Sequence, residues 1–238
     1  MYKLYHYTLC PFSRIVRVIM SEKKIEYHGV IEKYWEKNQD FLKLNKSGSV
    51  PFLIKKFSEQ DSQNGRKYLL LSGINSISEF IDGSHGNSGF IPSDPVDAAD
   101  VRKMVDWVNV KFYNEVVSHV LNEKIINFFK TKDLPDQSII NIASKNLASH
   151  IDYFGFLISK NGWIAVPKMS LADIALAAHV SVLDYLGCIN WIKMTTENQE
   201  NFKEWYRLMK SRPSFRSILQ DVVPGFDASS SYRDLDFV

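Results

Sequence analysis

YTLCPFSRIVRV, residues 7–18, sets a single cysteine between the end of a strand-like run and a proline. Residues 2–9 upstream are rich in Tyr, Leu and Thr, which suits a short strand. Pro11 suits the first turn of a helix, where its fixed φ is already helical and the amide it lacks would have no partner. Downstream, Val16, Ile19 and Met20 share one helical face, with Arg14, Arg17 and Glu22 elsewhere. The stretch therefore reads as strand, tight turn, helix, with Cys10 at the helix's N-terminal end.

Working outward, YHGVIE (27–32) reads as a second strand and KNQDFLKLN (37–45) as a short helix or turn. In GSVPFLIKKF (48–57) a small-residue loop and Pro51 directly precede an apolar strand. Proline cannot donate to a sheet ladder, so it belongs at the strand's start, and its tertiary amide admits a cis bond there. FSEQDSQNGRKYLLL (57–71) predicts a hairpin turning at Asn64-Gly65, and SISEFID (76–82) a closing helix. Residues 1–83 thus form a βαβ unit followed by ββα: a small mixed sheet with helices. GSHGNSGFIPSDPVD (83–97) concentrates Gly, Ser, Asn and Pro and places a linker at 84–95. From 96 to 223 the chain runs in long amphipathic stretches and predicts an all-helical domain. Within it, SLADIALAAHVSVLDYLG (170–187) opens with Ser170 and Asp173 at capping-box spacing and stays apolar all round, as a buried central helix would. The tail, 224–238, has too few apolar residues to build structure alone.

The 29 basic and 27 acidic residues leave a formal charge of +2, no field strong enough to recruit nucleic acid or an anionic membrane. Two cysteines make neither a disulfide framework nor a zinc site, and the six histidines lack metal-ligand spacing, so no metal is expected. The opening residues MYKLYHYTL carry no apolar signal core, and no window approaches the roughly 18 apolar residues that span a bilayer. A soluble protein of a reducing bacterial cytoplasm, with no membrane partner, is the expectation.

The Cys-Pro turn after strand one, the Val50-Pro51 pair before strand three, the linker, and Ser170-Leu-Ala-Asp173 in a helical domain together resemble the glutathione transferase superfamily. The resemblance implies an α/β, thioredoxin-like N-terminal domain, Pro51 in cis, an all-α C-terminal domain and a homodimer. Fold alone does not set function. CPF-S-R (10–14), K-Y-W-E (33–36), the pairing of HVSVLDYLG with KSRPSFR, and the ending VPG…YRDLDF are similar to a narrower family of transferase-like alphaproteobacterial division proteins. That likeness implies filaments of the tubulin-like FtsZ, or other division proteins, as partners.

Cys10 has two readings. A helix N-terminus offers unpaired amides and a positive partial charge, so a cysteine there can yield thiolate at neutral pH and act as nucleophile. Ser13 stands where a dithiol motif would have its second cysteine, leaving a monothiol route through a mixed disulfide with glutathione. Against this, the resemblance implies a Glu or Gln followed by Ser at the start of the helix closing the N-terminal domain, to hold the γ-glutamyl end of glutathione. Gly73 and Ile74 stand there instead, and no Asp or Glu occurs between Asp61 and Glu79. Ser72 could supply the hydroxyl after a one-residue shift; the acid has no replacement. Such a loss removes roughly 1.5–3 kcal/mol, tenfold or more in affinity. Val50 and Pro51 keep the backbone that would pair with the peptide's cysteinyl part. Glutathione is therefore a candidate ligand and no cofactor is required.

Trp35 reads as a pocket wall or an interaction anchor. In the tail, Tyr232, Leu235 and Phe237 alternate with Arg233, Asp234 and Asp236, as in a short linear binding motif, although a frayed end or an intramolecular latch fits the same pattern. Arg14 and Arg17 read as thiolate-neutralising, partner-binding or merely solvated groups, Cys188 as a buried apolar residue, and His6 and His179 as core residues.

Overall fold

The computed structural model describes residues 1–58, 66–85 and 89–237 and divides into two compact units, Met1–Asn87 and Ser88–Val238. In the first, β1 (Tyr2–His6) leads through the Cys10 turn into α1 (Pro11–Glu22), and β2 (Tyr27–Ile31) returns parallel to β1, pairing Tyr2 with Tyr27 and His6 with Ile31. A single turn, Tyr34–Glu36, and α2 (Gln39–Leu44) follow; Asn38 caps α2 by accepting from the amides of Asp40 and Phe41. β3 (Phe52–Lys56) and β4 (Tyr68–Ser72) complete a sheet of order β2-β1-β3-β4, with β3 antiparallel to both neighbours. The expected turn at Asn64-Gly65 lies outside the described residues. α3 (Ile74–Ser84) packs against α1.

α1 is buried at Pro11 and from Ser13 through Met20, and it packs against α3. Arg14 and Arg17 are therefore not a solvated face: both are buried, and Arg14 Nε donates to the Thr8 carbonyl at 2.9 Å. A guanidinium can be buried when nearby carbonyls take its protons, and the turn before α1 supplies one.

The second unit is helical. Residues 95–131 run as one continuous helix, α4, capped by Asp94 and opened by Pro95. Its hydrogen bonding widens to the π pattern over Trp107–Val117 and again over Asn122–Ile126. α5 (Gln137–Asn161) starts at an Asp136 cap and ends at Gly162, whose φ of 73° only glycine adopts without strain. α6 (Leu171–Tyr185) is buried at every position, and its expected Ser170/Asp173 capping box is present. Asp173 also accepts the Ile164 amide and the Trp205 indole, so the first turn of α6 ties down two other segments. α7 (Glu197–Ser211) crosses α5 so closely at Gly155 that an added Cβ would stand 1.8 Å from the Asn198 carbonyl oxygen. Two short helices, α8 (Arg216–Leu219) and α9 (Ser230–Arg233), close the chain.

The tail is folded back onto this unit. Tyr232 is fully buried against Tyr185 and gives its hydroxyl proton to the Ile218 carbonyl. Phe237 packs on Trp191 and Tyr206 at ring distances of 4.6 and 5.7 Å. Beneath them lies a buried ion pair. Lys210 Nζ stands 3.4 Å from Asp184 Oδ2 and donates to the Ser231 and Asp234 carbonyls at 2.6 and 2.7 Å. Asp184 also accepts from Trp191 Nε1, Ser231 Oγ and Tyr206 OH. Cys188, expected in the core, is half-buried, because it follows Gly187 (φ 63°) in the loop that leaves α6.

Candidate functional site

The candidate site is built on the end of β1 and the N-terminus of α1. Cys10 is the N-cap residue of α1; its amide is held by the Tyr7 carbonyl, and its own carbonyl accepts the Arg14 amide. The thiol is 3 % exposed and points at the Val50 carbonyl, 3.8 Å away. Burial pushes its pKa up; the Ser13 hydroxyl, the Ser13 and Phe12 amides and the Arg14 charge pull it down but do not prevail. At neutral pH this cysteine is a thiol, whatever the helix end offers.

The Val50-Pro51 bond is cis, as the family resemblance implied and as a prolyl amide permits. The turn before it is organised by Asn45, a buried residue that sequence reading passed over. Asn45 Nδ2 donates to the Ser49 carbonyl at 2.8 Å, and its Oδ1 accepts from the Ser47 amide and hydroxyl. Asn two residues before a Ser and three before a Gly is the recognisable signal of such a turn, and Gly48 takes the positive φ of 64°. These bonds fix Val50 beside the Cys10 thiol.

Ser72 is the last residue of β4, exposed and separated from α3 by Gly73 at φ 88°. The hydroxyl in the first turn of α3 is instead Ser76, which turns back to the Ser72 and Gly73 carbonyls at 2.6 and 3.0 Å. No acid stands in that first turn. Trp35 lies in the turn after β2 and meets Tyr7 edge-on at 4.6 Å, with Tyr34 beside both. Tyr7, 4 % exposed, sits within the stretch that opened the reading, yet nothing local separates it from other apolar strand residues. Cys10, Val50 and Pro51 come together; Ser72 and Trp35 share their unit; the tail residues belong to the other.

A family profile described as the glutathione S-transferase N-terminal domain matches residues 9–84. The crystal structure of a glutathione S-transferase from Rhodospirillum rubrum F11 superposes with a TM-score of 0.88 at 33% identity, covering all of both chains. The chain belongs to the glutathione S-transferase superfamily. Within it, FtsZ-localized protein A of Caulobacter vibrioides is 34% identical over 234 residues, 98% of this chain and 97% of that one. The solved structure of FzlA from C. crescentus superposes with a TM-score of 0.90 at 34% identity, covering 99% of each chain.

In this transferase fold the Val50-Pro51 bond is cis, Cys10 caps α1, and Gly73 and Ile74 stand at the start of α3. Among the tail residues, Tyr232 and Phe237 are buried within their own unit, and Arg233, Asp234, Leu235, at 43% exposure, and Asp236 are exposed. Asp236 donates its amide to the Asp234 carboxylate at 2.9 Å, which shapes the turn that projects Leu235. Among the described residues no group of His, Cys, Asp and Glu could hold a metal ion, and no helix is long and apolar enough to cross a membrane.

Proposed function

We propose that this chain is a division protein of the transferase fold that binds FtsZ filaments and does so without catalysis. The observation that carries the reading is the full-length likeness to FtsZ-localized protein A, at 34% identity from one end of the chain to the other. Two features of the site support it: a buried, protonated Cys10 and a first turn of α3 without the acid that glutathione's ammonium requires. Trp35 and the surface residues Asp234, Leu235 and Asp236 of the tail are the proposed contacts. The protein acts as a homodimer, a role suited to the exposed apolar side chains Val110 on α4 and Ile142, Tyr153 and Phe156 on α5. Two binding faces per dimer would bridge filaments by avidity, so modest affinity per site suffices. Co-sedimentation with GTP-assembled FtsZ at low salt tests the reading. Protein that stays in the supernatant under those conditions refutes it.

A second reading is glutathione-dependent thiol transfer through Cys10, favoured by the cis Val50-Pro51 backbone beside the thiol and by the relative described as a glutathione S-transferase. Titration calorimetry with glutathione separates the two. Micromolar to low-millimolar binding, lost in Cys10→Ala, supports the enzyme; silence at several millimolar supports the binder.

A further inference from the structure

His150, on α5, is buried at 5% exposure with both ring nitrogens engaged. Trp107 of α4 points its Nε1 at His150 Nδ1, 3.3 Å away, and Nε2 lies 2.9 Å from Glu115 Oε2. An indole nitrogen can only donate, so Nδ1 carries no proton and the ring is the neutral Nε2–H tautomer, donating to Glu115. The ring is boxed in by Phe112 at 5.1 Å and by Phe154, stacked at 5.8 Å. Trp107 is the outer member of the chain: half-buried, it lies over Tyr153 at 4.9 Å, and Val110 and Phe156, three residues further along α4 and α5 from this pair, are exposed.

A proton added to Nδ1 would set two N–H groups head to head at a hydrogen-bonding distance, an arrangement that repels. We propose that His150 is a proton-operated latch for Trp107: taking up one proton from solvent at Nδ1 removes the indole's acceptor and releases Trp107 from its place on the α4–α5 surface. The resulting imidazolium keeps Glu115 as an ion pair, so the ring stays and the indole moves. This sets the position of an aromatic side chain on a candidate contact face by pH, independently of what binds there.

The groups around the ring decide where it titrates. From α4, Glu115 favours the charged form and Lys111, which is itself bonded to Glu115, opposes it. From α6, His179 stands across the Phe112 ring, 6.1 Å from it, and is kept neutral down to about 4 by burial. From α7, Phe202 stacks behind Phe154 and brings no charge. Burial outweighs Glu115 and sets the pKa of His150 below the ordinary 6.5.

The test is a titration of the full chain, labelled with 15N, from pH 7.5 to 5, following the indole N–H signals and the His150 ring, with circular dichroism reporting the fold. Trp107→Phe identifies the Trp107 signal. It should shift with the same midpoint as His150, below 6.5. In His150→Gln, whose amide supplies both a donor for Glu115 and an acceptor for Trp107, the shift should vanish. Should that variant not fold, Glu115→Gln decides: it keeps the ring and lowers the shared midpoint. A Trp107 signal that stays still while His150 titrates, that moves equally in His150→Gln, or that moves only as the fold is lost overturns the proposal. So does a midpoint unchanged in Glu115→Gln.

Discussion

Replacing Asp184 by Ala removes the centre of the network that holds the tail. The carboxylate accepts from Trp191 Nε1 at 2.9 Å, Ser231 Oγ at 2.7 Å, Tyr206 OH at 3.2 Å and Lys210 Nζ at 3.4 Å, all of these residues buried except the half-buried Ser231. Summing charge-assisted bonds at roughly 1.5–3 kcal/mol each would overshoot, because donors freed near the surface regain water. The ammonium of Lys210 is the group that cannot, and removing one partner of a buried pair costs about 3–5 kcal/mol. With a urea m-value of about 2 kcal/mol/M, the unfolding midpoint of the helical unit falls by roughly 1.5–2.5 M. Lys210→Met should cost less, about 1–3 kcal/mol, since Asp184 keeps three donors and an apolar stem fills the space. Urea unfolding followed by tryptophan fluorescence measures both, and limited trypsin digestion at the exposed Arg233 reports whether the tail lifts. A midpoint shift under about 0.5 M for Asp184→Ala, or a larger one for Lys210→Met, would refute the claim that this pair clamps the tail.

Gly155→Ala should destabilise by about 3 kcal/mol or more, because the new methyl meets the Asn198 backbone rather than a side chain that can turn away; denaturant unfolding checks it. His179 is neutral in the folded protein down to about 4, against an ordinary 6.5. Below 6.5 the unfolded chain takes up this proton first, so stability is full above that pH and drops by about 3 kcal/mol on descent to 4. A His179→Gln variant should show a flatter profile over that window. Alkylation by iodoacetamide at pH 7.5 should reach half-buried Cys188 before buried Cys10, with both slower than a free cysteine; mass spectrometry of a time course reads the order.

Much of the first unit follows from short-range rules. Pro11 at a helix start, Pro51 at a strand start and apolar spacing at 3.6 and 2 residues are local signals, and β1, α1 and β3 appear where they point. The capping box at Ser170 is local as well. The tail was legible only in part. Its low apolar content argued against structure of its own, and indeed it has almost none: its order comes from Asp184, Trp191 and Lys210, more than twenty residues earlier, which no local pattern connects to it. For Arg14 the sequence left solvent, a thiolate and a partner's acid open, for the opposite reason. A charge on a helix suggests solvent, and the carbonyl that permits its burial belongs to a turn six residues back. At the candidate site the position of Cys10 was readable and its protonation was not, because burial is a property of the packed unit while the helix end is a property of the chain.

The anchoring of Phe237 bears on how the protein can be handled. Its ring is set between Trp191 and Tyr206 with the Lys210 ammonium 4.2 Å above it, so a fluorescent protein or affinity handle appended after it would have to emerge directly from a packed aromatic socket. Met1, by contrast, is 83% exposed at the margin of the sheet. A handle attached just beyond Phe237 therefore pulls on the clamp, and a localisation experiment that used one would be following a protein whose last aromatic anchor is under load.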